Sequence, residues 1–226
     1  MKKTIFCLLA VILLVVPSTS ADDFFNWIAG RHCIEGSGDL VTEERDLDRF
    51  TRIESKGSVD IFVTVGESQK VSLTFDDNLI DLVETSVRGK TLKITTKESY
   101  SSRRACKMEI SVPTLEEVRV TGSGDVEIFN LTGNYFEFTV TGSGDMRAEG
   151  EIDELDIRVS GSGDVDAREL VARDANVKIS GSGDVKVHAT EGFYGRVSGS
   201  GDIDVYGNPE HMSRYVSGSG DIKKRR

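Results

Sequence analysis

The tetrapeptide Gly-Ser-Gly-Asp occurs seven times, starting at Gly36, Gly122, Gly142, Gly161, Gly181, Gly199 and Gly218. From Gly122 onward the copies are 20, 19, 20, 18 and 19 residues apart. Such a period, kept over about 100 residues, is the signature of a repeat architecture. The seven copies hold 14 of the 23 glycines, so glycine here is placed at fixed positions and is not linker composition. The copy at Gly36 stands apart. Gly57-Ser58-Val59-Asp60 reads as a degenerate relative, with Val59 where the second glycine would fall.

The flanks repeat too. Two residues before the quartet lie Val120, Val140, Val159, Ile179, Val197 and Val216. Directly after it lie Val126, Met146, Val165, Val185, Ile203 and Ile222. Further apolar positions follow at steps of two on both sides, so each repeat carries two short strands. Stacked coils and an antiparallel meander both fit that pattern. A charged column separates them. Two residues after the aspartate lie Glu127, Arg147, Asp166, Lys186, Asp204 and Lys223, with signs alternating throughout. Coil stacking sets these residues side by side, where opposite charges attract. The expected fold is therefore all-β: a parallel β-helix with coils of about 19 residues and about six coils, the last incomplete. At about 4.8 Å per coil, five intervals give a stack roughly 24 Å tall.

The quartets read as coil corners. The corner residues are Gly122, Gly124 and Asp125; Gly142, Gly144 and Asp145; Gly161, Gly163 and Asp164; Gly181, Gly183 and Asp184; Gly199, Gly201 and Asp202; and Gly218, Gly220 and Asp221. Glycine accepts sharp backbone angles, and Ser and Asp side chains bond local amides. Stacked aspartates repel, by about 1 kcal/mol per pair in water. Three things could offset this: amide hydrogen bonds, the basic column Arg119, Arg158, Lys178 and Arg196, or bound calcium.

The chain divides by texture. Residues 1–21 carry a signal-peptide pattern: Lys2 and Lys3, an apolar run from Ile5 to Val16, then small residues ending at Ala21. Cleavage there would leave 205 residues and change the net charge from −10 to −12. Residues 22–48 form an entry segment in which Phe24, Phe25, Trp27 and Ile28 could make an amphipathic turn. Residues 49–115 are a β-rich leading section, with a helical turn expected in 76–84 and a hairpin at Arg88-Gly89-Lys90. Residues 116–223 are the quartet-repeat β-helix, and 224–226 a basic tail. Cys7 leaves with the leader. Cys33 and Cys106 remain, an even pair in an exported chain, and a disulfide between them is expected.

Chemistry is sparse. A net charge of −10 and a pI near 4.9 argue against nucleic-acid binding. His32, His188 and His211 are scattered, and no metalloprotease, phosphate-loop or nucleophile-elbow motif is present. A cleft with carboxylates on neighbouring coils would be needed for a carbohydrate-cleaving helix.

The repeated V-x-GSGD-V pattern resembles the head GIN domain, found in auto-transporter adhesins of bacterial envelopes. So does the stretch Glu43-Glu44-Arg45-Asp46-Leu47-Asp48-Arg49-Phe50 running into Ile53 and Gly57-Ser58-Val59-Asp60-Ile61. The likeness covers residues 38–223. It implies an exported, non-enzymatic protein with a right-handed, single-stranded β-helix, and it carries over no catalytic, cofactor-binding or metal-binding residue. The expected role is an adhesin or interaction scaffold with an envelope or extracellular ligand, a glycan or a protein; a homo-oligomer is compatible with it. The alternatives are a carbohydrate-binding or carbohydrate-cleaving helix and a calcium-stabilised structural repeat.

Overall fold

The computed structural model describes residues 33–225. The expected signal peptide and the 22–32 part of the entry segment, with its aromatic cluster, lie outside the described residues. The lower strands are β1 (Ile34–Glu35), β2 (Leu40–Glu44), β3 (Arg52–Gly57), β4 (Asp60–Val65), β5 (Lys70–Asp76), β6 (Val83–Arg88), β7 (Thr91–Thr96), β8 (Tyr100–Ser101) and β9 (Lys107–Val112). The upper strands are β10 (Glu117–Gly122), β11 (Val126–Gly142), β12 (Met146–Gly161), β13 (Val165–Ile179), β14 (Val185–Val197), β15 (Ile203–Tyr206), β16 (His211–Val216) and β17 (Ile222–Lys224).

From β10 upward each strand pairs in parallel with its counterpart one repeat away. This is a β-solenoid of about five turns. The last quartet is followed only by the short β17, so the final repeat does not close. The alternating charge column is adjacent in register as the sequence implies: Glu127, Arg147, Asp166, Lys186, Asp204 and Lys223 are successive partners. Its close ion pairs are nonetheless made outside the column: Arg147 to Glu169 and Arg225 to Asp204 diagonally between coils, Arg168 to Asp166 within one strand, and Lys223 to the corner aspartates Asp202 and Asp221.

Alternation buries one side of every strand. Val120, Val140, Val159, Ile179 and Val197 make one inner column, and Val126, Met146, Val165, Val185 and Ile203 another; each is at most 2% exposed. Burying one such side chain contributes about 1.5–3 kcal/mol. Coil lengths differ by a residue or two, and the register shifts that absorb this lie at Ile128/Leu131, Arg147/Glu149, Ala167/Val171 and Ala172/Asp174. The quartet corner keeps its register throughout.

No break separates the leading section from the repeats. β3 pairs with β10 and β4 with β11, so the degenerate quartet Gly57–Asp60 is a true corner directly beneath Gly122–Asp125. β7 and β9 form the half-coil below it. Antiparallel strands finish the base: β5 on β9, β2 on β5, and β6 on β7. The hairpin at Gly89-Lys90 and a short 3-10 turn at Ile80–Leu82 fall where the sequence places them. That hairpin joins β6 to β7. Tyr100 ties the loop after β7 to the base: its ring meets Phe75 edge-on at 5.0 Å, and its hydroxyl lies 2.8 Å from Ser58 Oγ.

Cys33 is an exposed free thiol and Cys106 a buried one. Cys106 is 2% exposed and packs in the core as a small apolar residue. Burial, helped by the nearby Asp60 charge, pushes its thiol up to about 12. It therefore stays protonated and inert.

Candidate functional site

Two surface features carry the polar side chains of the stack: the corner edge and a groove on the flank.

At the corner, backbone meets backbone. A Cβ on Gly142 would lie 2.1 Å from Gly122 O, and one on Gly144 would lie 2.2 Å from Gly124 O. Every corner above the lowest repeats this clash. Some first-position glycines also have positive φ, such as Gly122 at +136°, but the second-position glycines do not. Close stacking, rather than turn angle, is what the second glycine serves. Val59 is permitted in that column because the chain beneath turns through the longer loop 97–106 instead of a quartet. Each corner carbonyl also accepts from the next coil; Gly122 O takes Ser143 N–H at 2.9 Å and Gly144 N–H at 3.3 Å.

The aspartates form a ladder. Asp125 N–H donates to Asp60 Oδ1 at 3.1 Å, Asp145 N–H to Asp125 at 2.9 Å, and Asp164 N–H to Asp145 at 2.8 Å. The series continues through Asp184, Asp202 and Asp221 at 2.8, 2.7 and 2.7 Å. Each carboxylate thus takes up a main-chain donor of the coil above, which offsets the like-charge repulsion. The ladder ends differ. Burial and the Asp125 charge raise the Asp60 carboxyl above the ordinary range, against the opposing Asp125 N–H. At the top, the Ile222 N–H and Lys223 lower Asp221.

The basic column does another job. Arg119 pairs with Glu117 and Arg158 with Glu137 and Asp156, all on the strand leading into the corner. Of the three possible offsets, the amide hydrogen bonds are the ones that reach the corner aspartates from coil to coil. Among the described residues, no three or more His, Cys, Asp or Glu side chains converge as a metal site would require.

The Gly36 quartet is not a corner. It is gripped by the loop after β5: Ser37 N–H donates to Asn78 Oδ1 at 2.9 Å, and Gly38 N–H to Asp76 Oδ1 at 3.0 Å. Asp76 is fully buried and also accepts the Ser102 hydroxyl.

The groove lies on the flank formed by the strands entering the corners. Its volume is about 750 Å³. One row across it is Tyr135, Glu154, Asp174, Gly192 and His211; the next is Glu137, Asp156, Asn176, Tyr194 and Ser213. Tyr135 is 41% and Tyr194 40% exposed, the rest of the strand face being polar. The Tyr135 hydroxyl lies 3.0 Å from both Glu137 Oε2 and Asp156 Oδ2 and donates to one or the other. Burial and those two carboxylates drive its ionisation far upward, so the phenol is held protonated and its ring fixed. Asn176 Nδ2 donates to Asp156 Oδ1 at 2.5 Å. A Cβ on Gly192 would lie 2.3 Å from Asp174 Oδ1, so only glycine leaves that carboxylate in place.

Sequence reasoning did not single out these residues; His211 entered only as a scattered histidine. A signal was present. The two rows fall seven and five residues before each quartet, so aligning the repeats outward from the corners would have exposed them.

No helix among the described residues is long and apolar enough to cross a membrane. Among solved structures, a putative adhesin from Bacteroides fragilis NCTC 9343 is 26% identical, with a TM-score of 0.69 over 85% of this chain and 100% of that one. A putative lipid binding protein from Parabacteroides distasonis ATCC 8503 is 28% identical, with a TM-score of 0.57 over 85% and 99%. A putative adhesin from Parabacteroides merdae ATCC 43184, at 20% identity and a TM-score of 0.51 over 85% and 99%, shares the fold alone. No curated protein matches the chain. The family model described as putative auto-transporter adhesin, head GIN domain, matches residues 49–209, and the chain belongs to that family.

Proposed function

We propose that this chain is an exported, non-catalytic binding domain of the bacterial envelope, adhesive in role, and that the flank groove is its ligand-binding face. One observation carries the reading: the groove presents two exposed tyrosines over a hydrogen-bonded polar floor on a rigid scaffold. Pre-organised aromatic and polar groups bind without a large ordering cost. The leader pattern of residues 1–21 and the family's description support export.

Binding is favoured over cleavage. Glu154 and Asp174 are register partners on neighbouring coils, the placement a sugar-cleaving pair would need. Such a pair requires one carboxyl kept neutral by shielding from water. Glu154 is exposed, and Asp174 is ion-paired with Arg173 at 3.1 Å.

The test is a binding screen of the full chain, expressed through its own leader, against glycan and matrix-protein panels. Saturable binding that weakens about tenfold in Tyr194→Ala is expected. Binding untouched by that substitution would place the ligand elsewhere.

A further inference from the structure

The groove runs across the strands, parallel to the stack axis. It reaches from Tyr135 on β11, over β12, β13 and β14, to His211 and Ser213 on β16. Four intervals of about 4.8 Å make it roughly 19 Å long. A chain-like ligand fits that outline better than a compact one. Tyr135 and Tyr194 stand three coils apart, about 14 Å along the axis, with the carboxylate and amide floor between them.

Two chain-like ligands are worth weighing, a peptide and a saccharide. An extended peptide usually binds a sheet through its main chain. Here the floor strands β12, β13 and β14 are each paired on both sides, so their amides and carbonyls are spent. A strand added to the exposed edge of β16 would lie across the groove's end and would miss Tyr135. Recognition along the floor must therefore come from side chains.

Those side chains are suited to hydroxyls. Asp156, Asp174 and Glu154 are acceptors with several lone-pair sites each, and Asn176 holds Asp156 in place through its Nδ2 donor. The negative face of a tyrosine ring attracts the polarised C–H bonds on the flat side of a pyranose. No lysine or arginine lines the groove, while four carboxylates do. Asp156 and Asp174 are ion-paired with Arg158 and Arg173 at the rim, so Glu154 and Glu210 carry the negative charge that disfavours uronic, sialic and sulfated chains.

We infer that the groove binds a neutral oligosaccharide laid along the stack axis, with one sugar ring on Tyr135, another on Tyr194, and the intervening hydroxyls on the carboxylate–amide floor. This rests on the groove being the binding face.

Calorimetry on the full chain tests it, with neutral β-linked gluco-, xylo- and manno-oligosaccharides of increasing length, a uronic-acid oligomer and an oligolysine as probes. Affinity for at least one neutral series should rise with length until both tyrosines are spanned. Tyr135→Ala and Tyr194→Ala should each weaken it about tenfold, and Tyr194→Phe should retain it. Unchanged thermal melting of the variants would confirm that they fold. Binding of oligolysine alone, lost in the same variants, would overturn the saccharide and leave the groove as the binding face. Preference for the uronic oligomer would also overturn it. Binding indifferent to all three substitutions, or none to any probe, would overturn the saccharide; only a binding screen indifferent to Tyr194 would overturn the groove itself.

Discussion

The same four letters do two different jobs in this molecule. In the stack, Gly161-Ser162-Gly163-Asp164 is held by backbone: the corner carbonyls beneath exclude a side chain at both glycines, and Asp164 accepts the amide of Asp184. At the N-terminal end, Gly36-Ser37-Gly38-Asp39 is held by the side chains of Asp76, Asp77 and Asn78. There Gly38 faces open space at φ +89°, so only its torsion favours glycine. What a quartet does is thus decided by what lies one coil below it.

That contrast can be broken by substitution. The largest effect is expected for Gly163→Ala, whose Cβ would lie 2.1 Å from Gly144 O. Main chain cannot yield as a side-chain tip can, so a loss of about 3 kcal/mol or more should appear as a lower urea midpoint. Gly38→Ala should cost only about 1 kcal/mol, the usual price of a positive φ. Equal losses at the two sites would dissolve the distinction.

Next comes the buried thiol. Cys106→Ser puts a hydroxyl into the core and should cost about 1–3 kcal/mol, while Cys33→Ser should change stability little. Thiol titration of the chain after leader removal should count one reactive cysteine in the native state, Cys33, and two after denaturation. No reactive thiol in the native chain would restore the disulfide.

The smallest effect concerns the ladder ends. Asp60 has a raised folded-state carboxyl, so its contribution is full below the ordinary value of 3.8 and is lost as pH rises through the folded value. Asp60→Asn should therefore be more stable than the parent at neutral pH, with the gap closing as pH falls toward 3.8. Asp221 is lowered, so its contribution is present above 3.8 and is lost as pH falls through its depressed value. Asp221→Asn should lower the urea midpoint at neutral pH, and that loss should vanish in acid.

Much of the fold is legible in the sequence. The quartet period, the inner valine columns and the alternating charges are local signals, and stacking places them as neighbours. The first corner, Gly57–Asp60, is legible only as a degenerate quartet, because Val59's departure from the motif is explained by the 97–106 loop beneath it. β6 is marked only by the hairpin signal after it, because Val83–Arg88 mixes polar and apolar residues and takes its register from antiparallel pairing with β7. The groove was harder still. Tyr135 and Tyr194 lie three repeats apart in different columns, and their relation appears only once the coils are stacked in register.

The central claim is that the corner aspartates are architectural, bonding coil to coil without a metal. Amide hydrogen exchange of Asp125, Asp145, Asp164, Asp184, Asp202 and Asp221, followed by NMR with calcium and with chelator, tests it directly. Slow exchange, strongest in the middle of the stack and the same in both conditions, is predicted. Fast exchange in chelator that slows only when calcium is added would contradict it.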